Sequence, residues 1–272
     1  MPSDSMRFGF GKNWENYIKK HFSEERVDIS RRQLLDFLQL DSLQGSAFLD
    51  VGCGSGLHSL AAIHAGASRV ISFDFDPNSV ETTKKLKAWA GNPTTWQVME
   101  GSILDEKFLG TLEPVDIVYS WGVLHHTGNM WQAMDNVFRL IKPGGLAYLA
   151  LYDYDIQVDP TAEFWLDVKK RYNRSGWWGK RRLEWWYTWK FYLHGDIRNL
   201  PKFIGRIVGY KQFRGMDLYT DLVDWLGGWP MEFAKRADVK QWAQKTGLEM
   251  RTMKTGAANT EYLFIKPQSI RQ

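Results

Sequence analysis

Residues 47–56, AFLDVGCGSG, decide how the rest of the chain is read. A short apolar run ends in Asp50 and passes directly into glycines at alternate positions, Gly52, Gly54 and Gly56. A run of this kind is a buried strand, and the glycines after it let the backbone turn sharply and let a ligand approach where side chains would collide. The spacing is G-x-G-x-G rather than G-x-G-x-x-G, so the fingerprint of a pyrophosphate cradle is not met. Taken alone, the pattern is equally a tight turn with no ligand.

The flanking sequence supplies context. LHSLAAIHAGA has helical spacing closed by Gly66, and RVISFDFD is a second buried strand carrying Asp74, 18 residues after Gly56. An acid at the end of that strand can accept hydrogen bonds from both hydroxyls of a ribose. VETTKKLKAWAG then reads as a helix, TWQVMEG as a third strand, VDIVYSWGVLHH as a fourth, MWQAMDNVFRLI as a helix stopped by a KPGG turn, and LAYLALYD as a fifth strand. Strands alternating with helices at this spacing imply an α/β fold with a parallel, doubly wound sheet covered on both faces.

The rhythm fails after Asp155 and resumes near residue 236 with ADVKQWAQKTG, EMRTMKT and EYLFIKP, a helix and two strands. Residues 13–40 have helical periodicity. The expected organisation is an N-terminal helical extension (1–45), a cofactor-binding half (46–154), a basic, aromatic-rich helical insertion (155–235) and a returning helix and strand pair (236–272).

Composition narrows the function class. The chain has 272 residues, 44% of them apolar, and one cysteine, Cys53, which leaves no disulfide framework and fits a reducing compartment. The N-terminus lacks a secretory pattern and no apolar run approaches a membrane span, so the expectation is a cytoplasmic protein. Net charge is +4, but residues 169–214 carry 13 Lys and Arg against two acids, Glu184 and Asp196, so the remainder is net negative. Cys53 is read as a small residue tolerated in a glycine turn rather than as a nucleophile, because no base is tied to it by the sequence.

FLDVGCGSG, RVISFDFDPNSV, VDIVYSWGVLHH and FRLIKPGG, in that order, resemble four motifs of the class I S-adenosylmethionine-dependent methyltransferases, within them the branch of O-methyltransferases acting on small molecules and ubiquinone precursors. The resemblance covers residues 47–151 closely and 237–267 loosely. It implies a seven-stranded Rossmann-like sheet, S-adenosylmethionine as cofactor and S-adenosylhomocysteine as product. It places Asp50 and the loop of Gly52, Gly54 and Gly56 on the methionine part, Asp74 on the ribose, Ser102 and Ile103 on the adenine, and Ser120 and Trp121 beside the methionine moiety. Where many relatives have an acid after the third strand, this chain has Ser102 and Ile103, with Asp105 three residues on.

His125 and His126, just past the fourth strand, are the candidate catalytic residues. Methyl transfer from a sulfonium needs placement, exclusion of water and, for a hydroxyl acceptor, a base, and histidine suits that base role near neutral pH. His126 is read as the base or acceptor-orienting group and His125 chiefly as strand-end packing. Neighbouring strand residues point to opposite sides, so no metal is expected.

The insertion, densest at RSGWWGKRRLEWWYTWKFY, admits a substrate lid, a single-stranded nucleic-acid platform, a membrane-surface helix or a packed cap. Its position after the fifth strand favours a lid over a small-molecule or saccharide acceptor. A lipid or quinone precursor met by peripheral membrane contact ranks below that. So does nucleic acid, for which no appended binding module is evident. Candidate acceptor contacts are Trp14, Tyr17, Tyr152, Trp229, Asn259 and Glu261. The resulting expectation is O-methylation; a cofactor-binding scaffold is the non-enzyme rival.

Overall fold

In the computed structural model, residues 8–9, 23–214 and 218–268 are described. Trp14 and Tyr17 lie outside them. Seven strands form one sheet in the order β3-β2-β1-β4-β5-β7-β6. They are β1 (Ala47–Val51), β2 (Arg69–Asp74), β3 (Trp96–Glu100), β4 (Val115–Trp121), β5 (Ile141–Tyr152), β6 (Glu249–Thr255) and β7 (Asn259–Ile265). The first five are parallel, and β7 runs antiparallel to both β5 and β6.

The period-two alternation of the strands distributes their apolar side chains over two faces. On one face, Leu49, Ile71 and Val118 pack with Met134 and Val137 of α5 (Met130–Arg139) and Val239 of α10 (Arg236–Thr246). On the other, Phe48, Val70 and Ile117 pack with Leu34 and Leu38 of α1 (Glu24–Leu38) and Leu60 of α2 (Leu57–His64). Helix α1 is capped by the Ser23 side chain and ends at Gln39 in a left-handed conformation. Helix α3 (Pro77–Trp89) begins with Asp76 as its cap and proline in the first turn.

The turn expected at KPGG is instead a bulge within β5. Ile141 already pairs with Val115, the chain loops out, and pairing resumes at Ile117 with Leu146. Gly144 takes φ +80° there and donates its N–H to the Lys266 carbonyl at 2.7 Å. A single extra pairing residue before the loop is invisible to hydrophobic periodicity.

After β5 come α6 (Ala162–Arg174), α7 (Trp177–Tyr187), a short π turn (Thr188–Tyr192), α8 (Leu200–Arg214) and α9 (Leu218–Gly227). This region has its own apolar cluster of Trp165, Val168, Tyr172, Leu222 and Leu226. It therefore brings a second small core to the sheet's carboxyl edge. Strand order reverses between β1 and β4, and open α/β sheets bind ligands at such a crevice. The glycine loop follows β1 and the histidine pair follows β4, so topology alone sets them side by side.

Candidate functional site

One cavity of about 2060 Å³ runs from the glycine loop into the insertion. Gly52 has φ +76°, and a Cβ placed on it would sit 2.4 Å from Val123 Cγ1. The loop is thus held against the segment after β4 with no space for a side chain. Gly52→Ala is expected to lower stability by about 2–4 kcal/mol, the sum of left-handed strain and overpacking. Urea unfolding would measure it, and an unchanged midpoint would remove the close-approach argument.

Asp74 is fixed by two backbone donors: Gly54 N–H to one carboxylate oxygen at 2.9 Å and Asp76 N–H to the other at 2.9 Å. Each oxygen keeps a second lone pair. Asp50 lies deeper, at the end of a buried chain in which Trp96 Nε1 donates to Ser72 Oγ at 2.7 Å, Ser72 and Ser59 share a 2.7 Å hydrogen bond, and Ser59 donates to Asp50. Burial pushes Asp50 up to about 7, against the Ser59 hydrogen bond and with the nearby Asp74 charge adding to the rise. Burial likewise pushes Asp74 up to about 6, opposed by the backbone donors.

Both acids line the cavity. A ligand with a positive centre and vicinal hydroxyls satisfies both, which is the chemistry of S-adenosylmethionine. Burial also holds the Cys53 thiol well above its ordinary range, with Asp74 and Asp50 reinforcing it, and the sulfur lies 3.3 Å from Thr83 Oγ1. That protonated, buried thiol is a packing residue of the turn.

The histidines separate sharply. His125 is 1% exposed and is absent from the cavity wall. Its Nδ1 accepts the Tyr152 N–H at 3.3 Å, and burial first, then its neighbours His126 and Lys169, keep it neutral. Expected among the catalytic candidates, it is instead a buried ring beside Tyr152, 4.2 Å between centroids, and off the cavity wall. His126 is half-buried and lines the cavity. Its Nδ1 lies 2.8 Å from the Pro230 carbonyl oxygen, which only accepts, so Nδ1 carries the proton and Nε2 is the ring's acceptor.

Ser102 and Ile103 also line the cavity, where Asn136 Nδ2 holds the Ile103 carbonyl at 2.8 Å. Asp105 instead caps α4 (Glu106–Leu109), accepting from Lys107 N and Phe108 N. Ser120 departs from expectation: it is fully buried and donates to the Val51 carbonyl at 3.1 Å, binding β4 to β1 rather than facing the cavity. Gly56 likewise stays off the wall, packed against Thr83. Trp121 and Glu261, expected on opposite ligands, are joined at the rim by a 2.8 Å hydrogen bond from Trp121 Nε1. Tyr152, Trp229 and Asn259 are all on the wall.

Several lining residues escaped sequence reasoning. Phe75 lines the cavity, and its place next to Asp74 was the available signal. Trp165, Phe191 and Trp225 come from the insertion, whose aromatic residues gave no sign of which faced inward. Lys169, counted as part of the basic surface, is buried; it donates to the Trp225 carbonyl and lies 4.3 Å from that ring. Burial draws its ammonium down to about 7, opposed by Asp224. It fixes Trp225, which meets Tyr152 edge to face at 5.5 Å. Among the described residues, no cluster of three or more His, Cys, Asp or Glu is arranged to hold a metal.

Comparison with known proteins places this site in context. Residues 49–149 match the family described as a methyltransferase domain. The chain is similar to the tRNA U34 carboxymethyltransferase of Idiomarina loihiensis, 33% identical over 107 residues, covering 39% of this chain and 32% of that protein. It is similar to the ribosomal protein L11 methyltransferase of Vibrio cholerae, 33% identical over 135 residues, covering 49% and 42%. It thus spans less than half the length of these curated relatives. Among solved structures, a putative S-adenosylmethionine-dependent methyltransferase of Methanococcus maripaludis superposes with a TM-score of 0.54 at 15% identity, covering 96% and 94% of the two chains. The magnesium protoporphyrin IX methyltransferase of Synechocystis, solved with S-adenosylhomocysteine, gives 0.53 at 15%, covering 94% and 93%. At such identity the likeness is one of fold.

Proposed function

We propose that this chain, whose residues 49–149 match a methyltransferase domain, is a class I S-adenosylmethionine-dependent methyltransferase and that it methylates an oxygen of a small-molecule or saccharide acceptor. The observation that carries the reading is the continuity of the cavity. Its volume of about 2060 Å³ exceeds the roughly 300–1,000 Å³ usual for one small ligand, and it joins the Asp74 loop to aromatic walls from the insertion, with His126 between. The family match ends at residue 149, before the insertion begins, so the acceptors named for the relatives belong to the relatives.

When bound, S-adenosylmethionine supplies an electrophilic methyl on positively charged sulfur. Asp74 would hold its ribose hydroxyls, and Asp50 would offset the charge of its cationic end. The aromatic residues of the insertion, Trp225 and Tyr152 foremost, exclude water and orient the acceptor. His126 Nε2, the ring's acceptor, would take the proton of an acceptor hydroxyl.

Calorimetry with S-adenosylmethionine and S-adenosylhomocysteine, followed by mass spectrometry on panels of phenols, saccharides, RNA and protein, tests the reading. Micromolar cofactor binding with methylated phenol or saccharide is expected. Absence of cofactor binding would return the chain to a scaffold role, and methylation confined to RNA or protein would overturn the acceptor class.

A further inference from the structure

The outer surface of the insertion is unlike the rest of the molecule. Among the described residues, nine of the sixteen exposed large apolar side chains fall between Trp177 and Val208. At 3.6 residues per turn, Trp177, Arg181, Trp185, Trp178 and Arg182 of α7 lie on one face roughly 140° wide. Trp177, Trp178 and Trp185 are 62%, 76% and 61% exposed, and both arginines are exposed as well. Trp189 continues the face from the π turn, its ring 6.5 Å from Trp185. Inward, α7 sends Leu183 and Tyr187 to the insertion's own cluster.

Helix α8 repeats the division more severely. Leu200, Ile204, Ile207 and Val208, at i, i+4, i+7 and i+8, form an exposed aliphatic stripe, Val208 at 73%. The opposite side, Gly205, Arg206 and Gly209, lines the cavity. The helix is tied back by Phe203 stacking on Tyr192 at 5.4 Å and by Arg206 over the same tyrosine. It is a thin wall with the cavity on one side and an uncovered apolar strip on the other.

We propose that this surface docks on an anionic lipid bilayer. Indole rings and arginines mixed on one helix face match the headgroup region, and an aliphatic stripe beside them matches the acyl boundary. Charge selects the occupant. Residues 169–214 carry 13 basic residues against two acids. Glu184 is already held by Arg181 and Tyr172, and Asp196 by Arg198. A second copy of so basic a face is repelled, whereas anionic headgroups are attracted. Single-stranded nucleic acid would use the tryptophans and arginines but gives no partner to Leu200, Ile204, Ile207 and Val208, since bases stack on rings. No described helix is long and apolar enough to span a membrane, which leaves surface contact as the mode. Docking puts the thin α8 wall of the cavity at the lipid boundary. It does not depend on the methyl-transfer reading.

The test uses the full chain and sedimentation with vesicles of phosphatidylcholine alone or containing about one-third phosphatidylglycerol. Binding to the anionic vesicles at least about tenfold tighter than to neutral ones, falling with salt, is expected. Two double variants, Trp178→Ala with Trp185→Ala and Ile204→Glu with Val208→Glu, are each expected to weaken it at least about tenfold. Both are expected to retain the wild-type circular-dichroism spectrum and a cooperative unfolding transition, which report an intact fold. Absence of anionic-vesicle binding, or binding indifferent to both variants, overturns the proposal. So does tighter binding of single-stranded RNA, or a solution dimer that the same variants dissociate.

Discussion

His126→Ala is expected to lower turnover by about 10²–10⁴-fold while leaving cofactor affinity nearly unchanged. The direction follows from the ring's two ends. Nδ1 is committed to the Pro230 carbonyl at 2.8 Å, which fixes the tautomer and leaves Nε2 as the ring's acceptor in a residue that lines the cavity. The cofactor's expected contacts, Asp74 and the loop after β1, are on other segments, so removal of the imidazole is a loss to the chemical step. His126→Asn separates a base from a spacer. Its amide can still donate to Pro230 but cannot accept a proton at neutral pH. If the ring only shapes the pocket, the asparagine variant recovers most of the wild-type rate; if it is the base, turnover stays low in both variants. Full activity in His126→Ala would remove it from the mechanism.

That the two histidines differ was partly legible from sequence. Their place at the end of the fourth strand followed from periodicity, and strand order then set them beside the glycine loop. What periodicity lacks is depth: whether a strand-end residue turns inward depends on what later chain covers it. His125 is sealed by Tyr152 and by the segment before α10, where Glu232 N–H donates to the His125 carbonyl at 2.8 Å, more than a hundred residues away. The sheet read well for the complementary reason. Strands buried on both faces are near-continuous apolar runs, and the glycines and acids that end them are local signals.

The insertion read least well, since its aromatics serve three environments with one composition. Tyr172 is in the insertion's core, Trp225 on the cavity wall and Trp178 in solvent. Lys169 shows the same limit with charge. It is one of a run of basic residues, yet among those whose side chains are described it alone is buried, because α9 supplies a carbonyl and an indole face. Ser120 was misplaced for a smaller reason: alternation along β4 turns Trp121 to the rim and Ser120 to the β1 backbone.

Asp74→Ala is expected to weaken S-adenosylmethionine binding by at least about tenfold, the loss of one or two hydrogen bonds to a charged acceptor. Its carboxylate is aimed by Gly54 N–H and Asp76 N–H, so alanine also leaves two backbone donors of the loop without their acceptor. Asp74→Asn tests how much of the effect is charge. Folded values of about 6 for Asp74 and about 7 for Asp50 stand above the ordinary aspartate value of 3.8. Between those limits the folded, cofactor-free protein binds more protons than the unfolded chain. Its stability from these groups is therefore present below about pH 4 and is lost as pH rises through 6 to 7. A cationic ligand reverses the balance by favouring the ionised acids, so cofactor affinity should rise from pH 5 to pH 8 as stability without cofactor declines. Calorimetry and thermal unfolding across that range would show the two trends crossing. Asp74→Asn flattens both only in part, because Asp50 still titrates. An affinity independent of pH, or unchanged in Asp74→Ala, would remove these carboxylates from the cofactor site.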